Sequence, residues 1–288
     1  MSSAIIGIIA HVGKAGARRL AAALCEEFAK RGAQTLLEAR TAEAMNLEGG
    51  LPVAELARRC ELLVALGGDG TILRVLKELG DVITPIFGIN LGSLGFLTCV
   101  SSADAMLAVG SIVARDYTLS SRQLLHMRVI RDGAEIASQR ALNDVVLSRG
   151  AVSRMINIEA RVNGRFLTAY HADGMIVATP TGSTAYTLAA GGPILDPDSG
   201  VFIITPICPH VLTNRPVIVT DGAEVEILLG PEQSEISLNV DGAELARIRS
   251  GDRIVIRKAG QSLPLAMLPG VDFFEVLRQK LKWSGSAL

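Results

Sequence analysis

The stretch LVALGGDGTILRVL, residues 63–76, decides the fold that this sequence predicts. Its first residues are typical of a buried strand, its three glycines indicate a tight loop, and its last residues have the apolar spacing of a helix. This alternation of strand and helix predicts a parallel sheet covered by helices. The same alternation recurs up to about residue 118, with further strand patterns over 4–10, 34–39 and 82–90, and further helix patterns over 16–32 and 52–60.

The pattern changes near Tyr117, after which alternating apolar and polar residues flank short turn signals. These signals are Asp-Gly at 132–133, Asn-Gly at 163–164 and Asp-Gly at 241–242, and they favour tight hairpins because these residues adopt positive φ. The sequence therefore predicts an α/β domain with a parallel sheet over residues 1–118. A mostly antiparallel, all-β domain is expected over residues 119–270. We expect an amphipathic helix over 271–283 to pack back on the first domain.

The overall composition argues against several classes of protein. The 288 residues are 49% apolar and 20% charged, as in a globular chain, and a formal net charge of -1 argues against a broad nucleic-acid surface. No apolar run reaches the ~18 residues of a membrane span, and the basic N-terminal residues follow the apolar run, unlike those of a secretory signal. The four cysteines form no C-x-x-C pair and the four histidines have no ligand spacing. Free thiols and a cytoplasmic protein are therefore expected.

An aspartate inside the glycine loop is the first candidate for chemistry. A strand that ends near Gly67 and a helix that begins near Thr71 place backbone N–H groups at the carboxyl edge of the sheet, where phosphates bind. Asp69 would repel a phosphate unless a cation or a hydroxyl lay between them. It therefore either orients Mg²⁺ or accepts the proton of an attacking hydroxyl. The alternative is a residue that only caps Ile72 or Leu73 at the start of the helix.

Further segments place small and polar residues where a ligand can approach the backbone. Asn143 and Asp144, side by side before a predicted strand, could bind a ribose diol or simply form a turn. HADGMIVATPTGSTAYTLAAGGPIL, residues 171–195, leads a strand into a hydroxyl-rich loop with Tyr186, which could stack on a planar ring. GINLGSLGFL, residues 88–97, follows another predicted strand. Candidates for a phosphate-binding loop are Gly67, Gly68, Thr71, Asn90 and Gly92.

Taken together, GGDGT, NLGSLGFL, the Asn-Asp pair and DGMIVATPTGSTAYTLAAGGP resemble the NAD kinase family, in the family's order and over nearly the whole chain. GGDG alone is less specific, because lipid kinases and phosphofructokinases carry similar loops. The resemblance implies transfer of the γ-phosphoryl group of ATP to the 2′-hydroxyl of the adenosine ribose of NAD, which forms NADP. Polyphosphate is left open as an alternative donor. A divalent metal, Mg²⁺, would accompany ATP, and the protein would be a homodimer or homotetramer.

The resemblance also implies roles for individual residues. Asp69 takes the position of the catalytic base, Gly70 lies beside the bound dinucleotide, and Tyr186 lies near the adenine. His171, Ala189 and Ala243 depart from common family patterns and are expected to tune affinity or the choice between NAD and NADH. The other positions that match NAD contacts of the family are Asn143, Asp144, Asp173, Thr184, Ala185, Thr187, Leu188 and Ala189, with less motif support at Arg154 and His171.

Two other functions fit part of this pattern. A lipid kinase would share GGDG but would carry Gly-Thr-x-Asn-Asp after it, where this chain has Asn-Leu-Gly-Ser-Leu-Gly-Phe. A non-catalytic dinucleotide sensor would keep the adenine-binding segment and would not need Asp69. The intact GGDG favours a kinase. The hypothesis is that Asp69 accepts the proton of the 2′-hydroxyl as that oxygen attacks the γ-phosphorus of ATP.

Overall fold

A computed structural model of the protein describes residues 4–92, 95–149, 154–230 and 236–283. The chain forms two compact units. The first unit runs up to Ser121 and resumes at Leu263, and the second unit spans Arg122–Ser262. The first unit alternates strands and helices, whereas the second is built almost entirely of strands. The predicted fold class is therefore confirmed.

The strands and helices are numbered in chain order. The strands are β1 (Ile5–Ala10), β2 (Gln34–Leu37), β3 (Leu62–Gly67), β4 (Ile86–Asn90), β5 (Val100–Ser101), β6 (Thr118–Arg122), β7 (Leu125–Arg131), β8 (Ala134–Ala141), β9 (Asp144–Ser148), β10 (Ile156–Val162), β11 (Arg165–Ala172), β12 (Gly174–Ala178), β13 (Val201–Ile207), β14 (Val217–Thr220), β15 (Val225–Leu229), β16 (Ile236–Val240), β17 (Ala243–Ile248), β18 (Arg253–Lys258) and β19 (Leu263–Met267). The helices are α1 (Ala17–Lys30), α2 (Ala39–Ala44), α3 (Val53–Arg59), α4 (Asp69–Glu78), α5 (Ala105–Ala114), α6 (Tyr186–Ala189) and α7 (Phe273–Leu281), with a 3-10 turn at Thr181–Thr184.

The first unit is built on a seven-stranded sheet in the order β2-β1-β3-β4-β19-β6, with β5 also paired to β4. The pairs β1–β2, β1–β3, β3–β4, β4–β5 and β4–β19 are parallel, which confirms the predicted parallel sheet. Strands β3 and β4 are buried along their whole length, as expected for a sheet covered on both faces. Because β1, β3 and β4 are parallel neighbours, the loops that follow them share one edge of the sheet.

Helix α1 covers the sheet with one apolar face. Ala17, Ala21, Leu24 and Phe28 are fully buried in the core of the first unit. Their spacing of three or four residues places them on the same side of the helix. Gly32 follows the end of α1 with φ 78°, the left-handed conformation that stops a helix at a glycine, as the sequence predicts.

The second unit contains two six-stranded antiparallel sheets. Their strand orders are β11-β10-β15-β18-β7-β8 and β14-β13-β12-β9-β16-β17. Leu125, Met127 and Val129 are buried and alternate along β7 with half-buried residues. These side chains share one core with Val145 and Leu147 of β9, so the two sheets pack face to face as a sandwich.

The three predicted Asp-Gly and Asn-Gly turns are confirmed. Asp132-Gly133 has φ 51° and 82°, Asn163-Gly164 has 52° and 73°, and Asp241-Gly242 has 48° and 80°. They connect β7 to β8, β10 to β11 and β16 to β17, which are antiparallel pairs. Positive φ at both central residues is what a two-residue hairpin turn requires.

The chain returns to the first unit earlier than the predicted boundary at residue 270. Strand β19 pairs with β4 of the first sheet through Leu265 and Ile86, so the second unit ends at Ser262. A short apolar strand carries no local signal for the sheet that it joins, which is why the boundary differs. Helix α7 lies within the expected 271–283 and buries Val276 and Leu277.

Helices α2 and α5 are not predicted from the sequence patterns. The sequence of α5, AMLAVGSIVA, is apolar nearly throughout, so no polar face marks its helical period. Helix α2 has only six residues, too few for a period to stand out. Within the described residues, no helix combines the length and the apolar character needed to cross a membrane.

Candidate active site

Loops from three neighbouring strands meet at the carboxyl edge of the sheet in the first unit. The loop after β1 carries Lys14, whose Nζ donates a hydrogen bond of 3.1 Å to the carbonyl of Gly67 at the end of β3. The same carbonyl accepts the N–H of Leu91, just after β4, at 3.0 Å. The glycine loop is therefore tied to both of its neighbours.

Asp69 begins helix α4, but its carboxylate does not cap that helix. Oδ2 accepts the N–H of Phe96 at 2.9 Å and Oδ1 accepts the N–H of Leu97 at 3.1 Å, while Gly68 occupies the cap position. The simple capping alternative is therefore not the arrangement in the structure. Because each carboxylate oxygen has two lone pairs, each keeps an acceptor position beyond its backbone bond. The half-buried carboxylate is fixed in orientation and can still accept a proton.

Two glycines allow the chain to close tightly around this aspartate. A Cβ on Gly95 would lie 2.0 Å from Oδ1 of Asp69, and a Cβ on Gly67 would lie 2.0 Å from Oγ1 of Thr71. Real Cβ atoms essentially never approach within 3.0 Å, so a side chain at either position would force the loop to move. Gly70 is exposed and has open space around it, which allows a ligand to approach bare backbone there.

A basic hollow of about 450 Å³ opens beside the loop, with Lys14, Arg40 and Arg74 in its lining. Gly68 and Thr71 also line it. Among the described residues, Lys14 has no carboxylate within ion-pair distance, and the buried hydroxyl of Thr71 has no hydrogen-bond partner. A lysine, an unsatisfied hydroxyl and the N-terminus of α4 together favour an anion such as a phosphate.

A buried carboxylate fixes the arginine side of this hollow. Glu38 is 2% exposed, and its Oε1 accepts a hydrogen bond of 2.7 Å from Nη1 of Arg74. Its Oε2 accepts the hydroxyl of Thr41, also at 2.7 Å. Glu78 pairs with both Arg74 and Arg40 at 3.2 Å. Two carboxylates therefore face three cations, and the lining keeps a net positive charge.

Asn90 shapes the loop that follows β4. Its side chain is 5% exposed, and its Oδ1 accepts the N–H of Gly92 at 2.9 Å. Gly92 itself is exposed. Of the predicted phosphate-loop residues, Gly68 and Thr71 therefore line the hollow, whereas Gly67 and Asn90 are buried supports for the loops around it.

In the second unit, residues 142–144 form a turn that meets the segment after β12. The N–H of Thr179 donates to the carbonyl of Asn143 at 2.9 Å, and the hydroxyl of Thr179 donates to the carbonyl of Leu142. A Cβ on Gly182 would lie 2.0 Å from the carbonyl oxygen of Asn143. The small residues of this segment therefore allow the two backbones to come into contact.

Asp144 is a buried carboxylate with an acidic neighbour. It is 4% exposed and accepts the N–H of Tyr186, the first residue of α6. Burial and the charge of Asp241 raise the pKa of Asp144 to about 7, and the N–H of Tyr186 opposes that rise. The structure thus brings the predicted residues Asn143, Asp144 and Tyr186 together, and it makes Asp144 a group that titrates near neutral pH.

The hydroxyl-rich segment before α6 is held by its own side chains. The buried Oγ of Ser183 donates to the carbonyl of Pro180 at 2.6 Å and accepts the N–H of Leu195 at 2.9 Å. The hydroxyl of Thr184 donates to the carbonyl of Thr181 at 3.1 Å. These bonds stabilise the 3-10 turn that sets the start of α6.

The predicted contacts between residues 184 and 189 differ in exposure. Tyr186 is 45% exposed and Ala189 is also exposed, so both are open to a ligand. Thr187 is fully buried, and a Cβ on Gly192 would lie 2.4 Å from its Cγ2. Its side chain therefore packs inward, away from solvent. The remaining three are half-buried, namely Thr184, Ala185 and Leu188.

Three other predicted contacts lie away from this cluster. Asp173 and His171 come before β12, whereas Ala178 at the far end of that strand pairs with Asp144. At about 3.4 Å per residue, the length of β12 separates these two ends by roughly 14 Å. Arg154, before β10, is exposed. The structure does not bring Arg154, His171 or Asp173 into contact with Asp144.

Asp173 and His171 have neighbours of their own. Oδ1 of Asp173 accepts an ion-paired hydrogen bond of 2.8 Å from Nε of Arg149. The exposed ring of His171 lies 5.9 Å from the ring of His210, measured between centroids. These residues therefore form a second polar group in the same unit.

Several residues of the two sites are not found by the sequence analysis. Lys14 has a usable signal, since it follows a strand whose carboxyl end must lie beside that of β3. Arg74 lies five residues after Asp69 on the same helix, while Arg40 carries no signal of its own. Asp241 is identified only as a turn residue. In the part of the chain that the structure describes, no three His, Cys, Asp or Glu side chains gather to hold a metal ion.

Comparisons with known proteins agree with this architecture. Residues 6–117 match the family model described as the ATP-NAD kinase N-terminal domain, and residues 142–268 match the ATP-NAD kinase C-terminal domain. The chain is 41% identical over 278 residues to the NAD kinase of Geotalea daltonii, which covers 96% of this chain and 98% of that protein. It is 40% identical over 278 residues to the NAD kinase of Solibacter usitatus, with 96% of each chain covered.

Solved structures of the same fold are similar along the whole chain. Yeast NADH kinase complexed with NADH superposes with a TM-score of 0.92 at 26% identity, covering 100% of this chain and 90% of that one. An NAD kinase from Archaeoglobus fulgidus in complex with ATP superposes with a TM-score of 0.74 at 25% identity, covering 98% and 100%. From its sequence relatives and its fold, this chain belongs to the NAD kinase family of phosphotransferases.

Proposed function

We propose that this enzyme transfers the γ-phosphoryl group of Mg-ATP to the 2′-hydroxyl of the adenosine ribose of NAD, which forms NADP and ADP. The position of Asp69 supports this reaction most directly. Its carboxylate is fixed by two backbone N–H groups at the start of α4 and lies in the loop that borders a basic hollow. A carboxylate is suited to accept a proton from a sugar hydroxyl, and a basic hollow is suited to bind a chain of phosphates.

Asp69 acts as the general base in this proposal. Its carboxylate accepts the proton of the 2′-hydroxyl as that oxygen forms a bond to the γ-phosphorus. The bond between the γ-phosphorus and the β,γ-bridging oxygen breaks, and ADP leaves with its electron pair. Phosphoryl transfer depends mainly on positioning and electrostatics, which fits a base held rigidly by Phe96 and Leu97.

The basic hollow holds the phosphates of the donor. Lys14 supplies a positive charge without a carboxylate partner among the described residues, and Arg40 and Arg74 supply two more. Mg²⁺ enters as part of the Mg-ATP substrate, where it neutralises phosphate charge. Because these basic groups recognise phosphate and not a base, polyphosphate is an alternative donor.

The second unit supplies the contacts to the dinucleotide. The amide of Asn143 donates and accepts hydrogen bonds with a ribose diol, and the carboxylate of Asp144 accepts them. The exposed ring of Tyr186 stacks on the adenine. Gly70, Thr184, Ala185, Leu188 and Ala189 add contacts through small side chains and backbone. His171 and Asp173 contribute from the second polar group, Arg154 contributes from its exposed position before β10, and Thr187 contributes through its backbone. By its family resemblance the enzyme is a homodimer or homotetramer.

The first experiment measures NADP formation from NAD with Mg-ATP, and then with polyphosphate, for the parent protein and for Asp69→Asn. We expect turnover to fall by about 10²–10⁴-fold in the variant, the usual effect of losing a general base. The dissociation constant for NAD, measured by calorimetry, should stay near that of the parent. Light scattering on the same samples gives the number of subunits, which we expect to be two or four.

Asp272→Asn is a matched control for this substitution. Asp272 is also an aspartate at a helix N-terminus of the first unit, and it accepts the N–H of Phe274 at 3.1 Å. Since asparagine caps helices equally well, this variant should keep full activity. If Asp69→Asn turned over as fast as Asp272→Asn, the assignment of Asp69 as the general base would be refuted. A parent protein that is silent with both donors would refute the proposed reaction.

A further inference from the structure

Residues 142–144 are also held by a carboxylate that the proposed function leaves without a role. Asp241 lies in the tight turn between β16 and β17. Its Oδ2 accepts the N–H of Leu142 at 2.8 Å, and its Oδ1 accepts the N–H groups of Asn143 at 2.8 Å and Asp144 at 3.1 Å. The N–H of Asp241 donates in return to the carbonyl of Asp144 at 3.0 Å. One residue therefore makes four hydrogen bonds to the backbone of this turn.

These bonds complement those made by Thr179. Thr179 binds the carbonyls of Leu142 and Asn143, whereas Asp241 binds the N–H groups of all three residues. The backbone of the turn is thus satisfied by its neighbours. The side chains of Asn143 and Asp144 are therefore not needed to hold the turn, and the carboxylate of Asp144 keeps acceptor positions beyond the N–H of Tyr186.

The hydrogen-bond pattern requires a carboxylate at position 241. Three N–H donors converge on two oxygens, and only an ionised carboxylate offers acceptors on both. An amide would turn its NH₂ group toward one of these donors. Asp241 has φ 48°, a conformation that asparagine adopts as readily as aspartate. Replacing Asp241 with asparagine therefore changes the hydrogen bonds and the charge, whereas the backbone conformation of the turn is kept.

We propose that Asp241 is a positioning residue for dinucleotide binding, which holds the backbone of residues 142–144 so that Asn143 and Asp144 present their side chains to the ribose of NAD. This role rests on the proposed function of the Asn-Asp pair. It acts on the binding of NAD and leaves the donor phosphates and the base untouched. The KM for NAD should therefore respond to Asp241, whereas the KM for ATP should not.

The test compares Asp241→Asn with the parent and with Asp252→Asn. Asp252 is a second carboxylate of the same unit, 1% exposed, which pairs with Arg131 at 2.7 Å and accepts the N–H of Arg249 at 2.9 Å. We expect the KM and the calorimetric Kd for NAD to rise on the order of 10-fold to 100-fold in Asp241→Asn, as for the loss of a charged hydrogen bond. The KM for ATP should not change, and Asp252→Asn should lower stability without raising the KM for NAD.

A pH profile tests the contact between Asp241 and Asp144 in the folded enzyme. The charge of Asp241 helps to raise the pKa of Asp144, so its removal should move the acidic limb of kcat/KM for NAD to lower pH. An acidic limb that stays in place would show that Asp241 does not act on Asp144, and the KM for NAD compared with the KM for ATP separates positioning from a general loss of structure. Tyr186 contributes only its uncharged N–H to Asp144, which leaves Asp241 as the acidic neighbour whose removal is tested.

Each outcome decides the proposal. An unchanged KM for NAD in Asp241→Asn, or a rise equal to that in Asp252→Asn, would overturn it. If Asp241→Asn does not fold, Asp241→Glu keeps the charge, and a folded Asp241→Glu with a raised KM for NAD supports positioning. Failure of both to fold, with Asp252→Asn folded, would assign Asp241 to structure alone. A parent protein without NAD kinase activity would refute the proposed function instead, which the same assay reveals first.

Discussion

Asp69 in the first unit and Asp144 in the second are both held by backbone N–H groups, but their surroundings are opposite. Asp69 is half-buried and receives N–H groups from Phe96 and Leu97, far from it in sequence. Asp144 is 4% exposed and lies beside a second carboxylate, Asp241. The comparison separates two uses of a carboxylate. A group proposed to take up a proton in every turnover stays accessible, whereas a group proposed to bind is enclosed in a fixed electrostatic environment.

Among variants that keep Asp69 itself, the largest expected effect comes from displacing its carboxylate. In Gly95→Ala the new Cβ would lie 2.0 Å from Oδ1 of Asp69, so the carboxylate or the loop must move. We expect turnover to fall on the order of 100-fold, since misplacing a catalytic group by about 1 Å has effects of this size. Steady-state kinetics of NADP formation measures it.

Gly260→Ala is the control for this exchange, because no atom of the described residues lies within 4 Å of the new Cβ. This variant should retain the activity of the parent. If Gly95→Ala were as active as this control, the rigid hold on Asp69 would not matter for catalysis. Asp69 could then not be distinguished from Asp144 by a catalytic role.

A smaller effect is expected from the basic hollow beside Asp69. Lys14→Met removes the cation that borders Gly67 and Gly68. We expect the KM for Mg-ATP to rise about 10-fold, the effect of one charge-assisted contact to phosphate, with the KM for NAD unchanged. Initial rates at varied donor concentration test this, with polyphosphate run in parallel.

Lys30→Met is the matched control, since Lys30 is an exposed lysine at the end of α1, 3.9 Å from Glu27. It should leave both KM values unaltered. If Lys14→Met and Lys30→Met had equal KM values for Mg-ATP, Lys14 would not contribute to binding the phosphate donor.

The smallest effect is a pH dependence that has opposite signs for binding and for stability. The pKa of Asp144 is raised to about 7 in the folded protein. In the proposed function its ionised form accepts hydrogen bonds from the ribose, so the KM for NAD should rise severalfold as the pH falls below about 7. For stability the sign is reversed. A carboxyl whose pKa is raised on folding stabilises the fold when it is protonated, and that contribution is lost as the pH rises through about 7.

Melting temperatures and KM values measured between pH 6 and 8 on the same protein check both directions. Asp144→Asn removes one of the two buried carboxyls with raised pKa and leaves Asp241, so both dependences should weaken in that variant. A KM for NAD that does not change between pH 6 and 8 in the parent would show that Asp144 does not bind the ribose in its ionised form.

Most of the fold follows from local patterns in the sequence. Continuous apolar runs predict the buried strands of the first unit, and the Asp-Gly and Asn-Gly dipeptides predict the hairpins because their φ values are dictated locally. Helix α5 and strand β19 are not predicted correctly. The first has no polar face, and the second is assigned to a sheet only by contacts with β4, far away in the chain.

In the candidate sites, too, residue types can be predicted from the sequence, whereas contacts between distant segments cannot. The sequence identifies Asp69, Asn143, Asp144 and Tyr186 by residue type and order, and the structure brings the last three into contact. The hold on Asp69 by Phe96 and Leu97 cannot be read from the sequence, because it depends on how two loops fold against each other. The same reason hides the second role of Asp241, whose position in an Asp-Gly turn already accounts for its residue type.

The return of the chain through β19 has a consequence for the order of folding during synthesis. Strands β6 and β19 are neighbours in the sheet of the first unit, yet the whole second unit is translated between them. The sheet that carries the Asp69 loop therefore lacks β19 until the ribosome has passed Met267. The second unit has its own core, and its residues leave the ribosome before β19 does. It can therefore fold before the sheet of the first unit is complete. Once the second unit has folded, fewer flexible residues lie between β6 and β19. The entropic cost of bringing β19 to β4 is therefore lower than for an unfolded connection of the same length.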